Sequence, residues 1–109
     1  MCTTRILASS KKGIINQCTE CKSFRIAFGT ALMNFRALDY QKFCDQVNDE
    51  VQHINLSMNA TIKCILIEME FQPEFSLVLN TNELKQLNDL VQTANIILSA
   101  YNIIKDDNH

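Results

Sequence analysis

Glycine and proline are scarce in this chain, two and one among 109 residues, and tryptophan is missing altogether. So little flexible or chain-breaking material excludes long disordered linkers, collagen-like repeats and a glycine-rich phosphate loop. Long hydrophobic runs are lacking as well. The greasiest stretch, residues 96–104, is broken by Ser99 and Asn102. It falls well short of the roughly 20 apolar residues that a membrane-spanning helix needs. No basic segment followed by an apolar one stands near Met1, and the five cysteines are an odd number. Both features point to a cytoplasmic protein with reduced thiols rather than a secreted one with obligatory disulfides, and no membrane association is expected. Only two histidines occur, His53 and His109. Neither lies in a pattern that pairs a nucleophile, a base and an orienting acid, so the chain is expected not to be an enzyme.

What the chain does have is a globular composition, 47% hydrophobic and 20% charged. That suits one domain, residues 1–104, with a short polar tail at 105–109. Charge is divided unevenly. Arg5, Lys11, Lys12, Lys22, Arg25 and Arg36 precede residue 37 with Glu20 as the one acid, and the remaining chain is acidic. A basic ribbon that also carries Phe24 and Phe28 is one route to nucleic acid, through phosphate contacts and base stacking. The alternative is that the basic and acidic halves face each other across the fold or a subunit interface.

The periodicities predict an α+β fold of two layers, an antiparallel sheet with two helices on one face, in the order β-β-β-α-β-β-α. Residues 4–8 and 13–17 are short Ile-rich runs around a polar segment, which reads as a hairpin. Residues 24–35 alternate in apolar phase but slip by one at Gly29, the signature of one long strand bent at a bulge, or of two strands joined at Gly29-Thr30. An amphipathic helix is expected over 38–54 from a start at Asp39, then a strand over 61–71 and its partner over 75–79. Asn80 stands three residues before Glu83, a capping-box spacing at the start of a second helix, with Thr81 an equally good cap. The apolar stripe of that helix, Leu84, Leu87, Val91, Ala94, Leu98 and Tyr101, is widened by Leu90, Ile97 and Ile104. The excess suggests packing against the same helix of a second copy, or cover by the first helix and the sheet.

Chemistry concentrates at Cys18-Thr19-Glu20-Cys21. Hairpin pairing with an index sum of about 22 or 23 puts Cys2 opposite Glu20 or Cys21, so three thiols gather at one end of residues 1–23. Two thiolates in C-x-x-C spacing can grip one Zn²⁺, and Cys2, Cys18 and Cys21 are the expected ligands. A closed site needs a fourth, for which His53, His109, Cys44, Cys64 or a second chain are the candidates. A redox dithiol is the competing chemistry, although such pairs normally sit at a helix N-terminus and this one is followed by a strand. The plainest alternative is a semi-buried turn with reduced thiols.

Met1-Cys2, Gly13 ahead of an Ile-rich strand, Cys18-x-x-Cys21 and Ile26-Ala27-Phe28-Gly29 together resemble a family of short bacterial proteins of unknown function, along nearly the whole chain. The resemblance implies a bacterial cytosolic protein in which Cys2, Cys18 and Cys21 act together, and it implies no reaction. The expectation that follows is a small non-enzymatic binding or regulatory module with a structural zinc site. Its partner would be a protein, including a second copy as a homodimer. The ranked alternatives are nucleic-acid binding and, below it, dithiol redox chemistry.

Overall fold

A computed structural model describes residues 3–54, 65–69 and 75–107, with residues 104–107 described in backbone only. Four strands, β1 (Thr4–Ser9), β2 (Gly13–Cys18), β3 (Phe24–Phe28) and β4 (Ala31–Phe35), form an antiparallel sheet in sequential order. Helix α1 (Ala37–Gln52) follows, then β5 (Ile65–Glu68) and β6 (Ser76–Leu79), then the 27-residue helix α2 (Thr81–Asp107). The fold is α+β, with the order β-β-β-β-α-β-β-α.

Two expectations about the sheet are corrected. Residues 24–35 are a hairpin rather than one bent strand, and Phe28 pairs with Ala31 across the two-residue turn Gly29-Thr30. Gly29 has φ +59°, the left-handed value that the first central position of a tight hairpin turn takes and that glycine adopts without a Cβ penalty. The slip in apolar phase therefore marked a reversal of the chain. In addition, β5 and β6 form a two-stranded sheet of their own. Two further boundaries move. Helix α1 begins at Ala37, so Asp39 is a first-turn residue paired with Arg36 at 3.4 Å rather than the cap. Residues 105–107, expected as tail, are the last helical residues of α2.

A real bulge lies in β1. The pairing Thr4↔Cys18, Arg5↔Gln17, Ile6↔Asn16 keeps an index sum of 22, which becomes 23 at Ala8↔Ile15 and Ser9↔Ile14. The extra residue lets Leu7 and Ala8 both turn inward. Together with Ile15, Phe24, Ile26, Phe28, Met33 and Phe35 they make one apolar sheet face. Helix α2 lies over β1 and β2 and against α1, and α1 reaches β4. From the β5–β6 ribbon, Ile67, Met69, Leu77 and Leu79 join the same core. The Gln46 side-chain amide donates to the Glu68 carbonyl at 2.8 Å and ties the ribbon to α1. Helices cover one sheet face, and Ile6 and Leu32 lie exposed on the other.

Helix α2 starts as its sequence predicts. The Asn80 side chain accepts from the Glu83 N–H at 2.8 Å and the Asn80 N–H donates to the Glu83 carboxylate at 3.0 Å, a reciprocal capping box. Thr81, the alternative cap, is left buried with a hydroxyl that has no hydrogen-bond partner. Replacing Asn80 by Ala should therefore cost about 1 kcal/mol in denaturant-measured stability. Thr81→Val, which removes an unsatisfied hydroxyl, should be neutral or stabilising. Equal losses in both variants would contradict this assignment of the cap.

Gly13 opens β2 opposite Phe28 of β3, and a Cβ there would clash with the Ala27 carbonyl oxygen. Backbone cannot yield as a flexible side chain does, so Gly13→Ala must displace β2 or β3. The expected loss is about 1–3 kcal/mol, the range for overpacked sites, read as a lower melting temperature. An unchanged melting curve would show that the two strands part without cost.

Candidate metal centre at the cysteine turn

Strand β2 ends at Cys18, β3 begins at Phe24, and the segment between them is tightly closed. The Cys18 N–H donates to the Ser23 carbonyl at 2.9 Å and the Lys22 N–H to the Cys18 carbonyl at 3.0 Å. Inside this turn the Cys21 N–H points at the Cys18 sulfur, 3.4 Å away. Lys22 has φ +63°, the only positive φ of a non-glycine residue among those described. A lysine held in the left-handed region costs on the order of 1–2 kcal/mol, so the surrounding hydrogen bonds must impose it. What that conformation does is reverse the chain directly after Cys21 and keep its N–H on sulfur.

The turn keeps both sulfurs on one short loop between β2 and β3. Cys18 is buried and Cys21 exposed, with the Cys21 sulfur 3.0 Å from the Ser23 hydroxyl. The N-terminal strand is fastened to the same turn, because the N–H and hydroxyl of Thr19 both donate to the Thr3 carbonyl, at 2.8 and 3.0 Å. Cys2 is the residue before Thr3 in sequence. It lies outside the described residues, as do Cys64 and His109.

The other two candidates for a fourth ligand are occupied elsewhere. Cys44 is buried in the core beside Tyr40 and Asn95, and burial pushes its thiol pKa up, away from the ligating form. His53 is the C-cap of α1 and sets its Nδ1 2.8 Å from the Asp49 carbonyl and 3.5 Å from the Asp49 carboxylate. Among the described residues no group of three or more His, Cys, Asp or Glu comes together. Nor does the pair sit at a helix N-terminus, since β2 and β3 flank it. The arrangement that lowers the thiol pKa in helix-borne dithiols is therefore lacking.

The hairpin register was legible and placed the turn correctly. The N–H···S bond and the left-handed Lys22 were not, because neither leaves a sequence signal beyond the cysteine spacing. A second feature also escaped: Arg5 donates twice to the Gln17 side-chain oxygen, at 3.2 and 2.8 Å, and its guanidinium lies 4.1 Å from the centre of the Tyr101 ring. The index sum of 22 does pair Arg5 with Gln17, but only the path of α2 brings Tyr101 over them.

The profile of a family of unknown function, DUF6686, matches residues 1–106. The chain belongs to this family. Its match takes in all four strands of the larger sheet, the cysteine turn and nearly all of α2. Comparison with curated proteins and with solved structures returns no match.

The environment of His53 makes a pH prediction. The Asp49 backbone carbonyl, and then the Asp49 carboxylate, favour the imidazolium and raise its pKa above the ordinary 6.5. A raised folded-state pKa means that the contribution to the α1 terminus is complete below pH 6.5 and fades as pH rises through the raised value. An NMR titration of the His53 ring should show this upward shift, reduced but not abolished in Asp49→Asn, which keeps the carbonyl. A wild-type pKa at or below 6.5 would contradict the contact.

Proposed function

We propose that the chain is a small, non-enzymatic binding module of the cytoplasm whose cysteine turn holds a structural Zn²⁺ through Cys2, Cys18 and Cys21. The observation that carries this reading is the turn itself. The N–H of Cys21 is aimed at the Cys18 sulfur, and the chain is forced into a left-handed residue immediately after the second cysteine. That geometry keeps both cysteines on one short loop, as a C-x-x-C zinc ligand pair requires. Thr19 holding the Thr3 carbonyl supports Cys2 as the third ligand, since Cys2 is one peptide unit further along the chain. The fourth position falls to a group outside this set. Thiolate-rich sites of this kind are structural, and the metal would contribute to folding by tying β1 to the β2–β3 turn.

A protein, including a second copy of the chain, is the partner this reading favours. Phe24 and Phe28 belong to the core. Stacking on bases is thus closed to them, and nucleic acid would have to be held by phosphate contacts alone. The position of the pair between two strands, away from a helix N-terminus, likewise gives dithiol exchange little support.

Native mass spectrometry of untagged protein prepared without chelator tests the proposal. One zinc per chain is expected in the wild type and none in Cys18→Ser. Chelator should lower the melting temperature of the wild type and leave that of the variant unchanged. A wild-type chain that carries no metal after incubation with Zn²⁺, with its cysteines open to alkylation in the native state, would overturn it.

A further inference from the structure

The hairpin that leads into the cysteine turn at one end borders a cleft at the other. Between the tip of the β1–β2 hairpin and α2 lies an opening of about 250 Å³. Its floor is Ala8 and Leu90, both buried and apolar. One wall is the hairpin tip, Ser9, Ser10, Lys11 and Lys12. The other is a single face of α2, because Gln86, Asp89 and Thr93 recur at spacings of three and four. The cysteines, beyond the Thr4–Cys18 end of the same hairpin, contribute nothing to it.

Backbone hydrogen bonds fix the hairpin tip. The Ser10 N–H donates to the Gly13 carbonyl at 2.9 Å, the Lys12 N–H to the Ser10 hydroxyl oxygen at 3.2 Å, and the Gly29 N–H to the Lys12 carbonyl at 2.9 Å. The Ser10 hydroxyl accepts from the backbone and so keeps its own hydrogen to donate. Among the described residues neither Lys11 nor Lys12 is ion-paired, and Asp89 is not ion-paired either, although it lines the same cleft. Opposite charges on facing walls that do not meet leave room for a ligand to bridge them.

The donors on each wall specify that ligand. Two ammonium groups and two hydroxyls on one short turn suit a phosphate monoester, which carries nearly two negative charges and three strong acceptor oxygens, better than a carboxylate with its single charge. Asp89 repels the same phosphate, so the far end of the ligand must offer hydroxyl groups, whose hydrogens a carboxylate accepts. Gln86 and Thr93 flank Asp89 with both donors and acceptors, which also suits hydroxyl groups. The opening falls just below the roughly 300–1,000 Å³ of sites for drug-sized molecules, so the ligand is smaller than those.

We propose that this cleft binds a small phosphorylated polyol, with its phosphate on the Ser9–Lys12 tip and its hydroxyls on Asp89. The site lies beyond the zinc reading and stands or fails independently of it.

Amide NMR of the isotope-labelled, untagged protein in phosphate-free buffer tests this by titration with ribose 5-phosphate, glucose 6-phosphate and glycerol 3-phosphate. At least one ester should produce saturable shifts at residues 9–13 and 86–93, with inorganic phosphate and free ribose each weaker by roughly tenfold or more. The double variant Lys11→Gln with Lys12→Gln should bind the ester about tenfold more weakly or worse. Asp89→Asn should weaken the ester and leave inorganic phosphate no weaker. All these side chains are exposed, and unchanged amide shifts away from the cleft show that each variant is folded. No saturable shift with any of the three esters up to about 10 mM overturns the proposal. So do shifts that map away from the cleft, or an ester affinity that survives the double lysine variant or is unchanged or raised in Asp89→Asn. Inorganic phosphate binding as tightly as the esters would show an adventitious ion only, and overturns it too.

Discussion

Tyr40 sits where the sheet and both helices meet, and the rest of the structure depends on how it is held. Its ring stacks on Phe24 with centroids 3.9 Å apart and planes within 5° of parallel, and Phe35 meets it edge-on at 6.3 Å. Phe35 in turn packs on Phe43 at 4.9 Å. The Tyr40 hydroxyl then donates to the Asn95 side-chain oxygen at 3.1 Å, which joins α1 to α2. Such ring pairs add about 0.5–1.5 kcal/mol beyond their area, and a buried hydroxyl requires its partner or costs about 1–3 kcal/mol. Burial drives the Tyr40 pKa far above its ordinary value, so the phenol stays protonated and remains the donor at any physiological pH.

This aromatic stack lies directly beside the cysteine turn. Phe24 is the first residue of β3, and Ser23, which closes the turn by accepting from the Cys18 N–H, immediately precedes it. The turn is therefore anchored on one side by the core and on the other by Thr3. The strained φ of Lys22 persists between two fixed ends. A structural metal there would add to a preformed loop rather than organise a floppy one.

Polar and apolar contacts meet near the cysteine turn, where Arg5 of β1 lies between Gln17 and the Tyr101 ring of α2. Near the cysteines, polar contacts dominate: Thr19 to Thr3, and Arg5 to Gln17. Between Leu90 and Ile104 the sequence of α2 has no charged residue, and Ile96 and Ile103 are exposed.

Much of this was legible in the residues alone. The alternation of strand residues, the spacing of Asn80 and Glu83, and the apolar stripes of both helices dictated the α+β class, the capping box and most of the core, because periodicity and capping act over a few residues. The first hairpin's register followed from its turn, so the meeting of Thr4 with Cys18 was also within reach. Tertiary structure alone decided the remainder. Whether Gly29 bends a strand or reverses it depends on whether Phe24 can pair with Phe35, a contact that local phase does not encode. Whether Lys22 adopts a left-handed backbone is imposed by hydrogen bonds from residues on either side of it. Which residues of α2 are buried is set by the strands and helix that pack against it, and a helical stripe read from sequence does not say which elements those are.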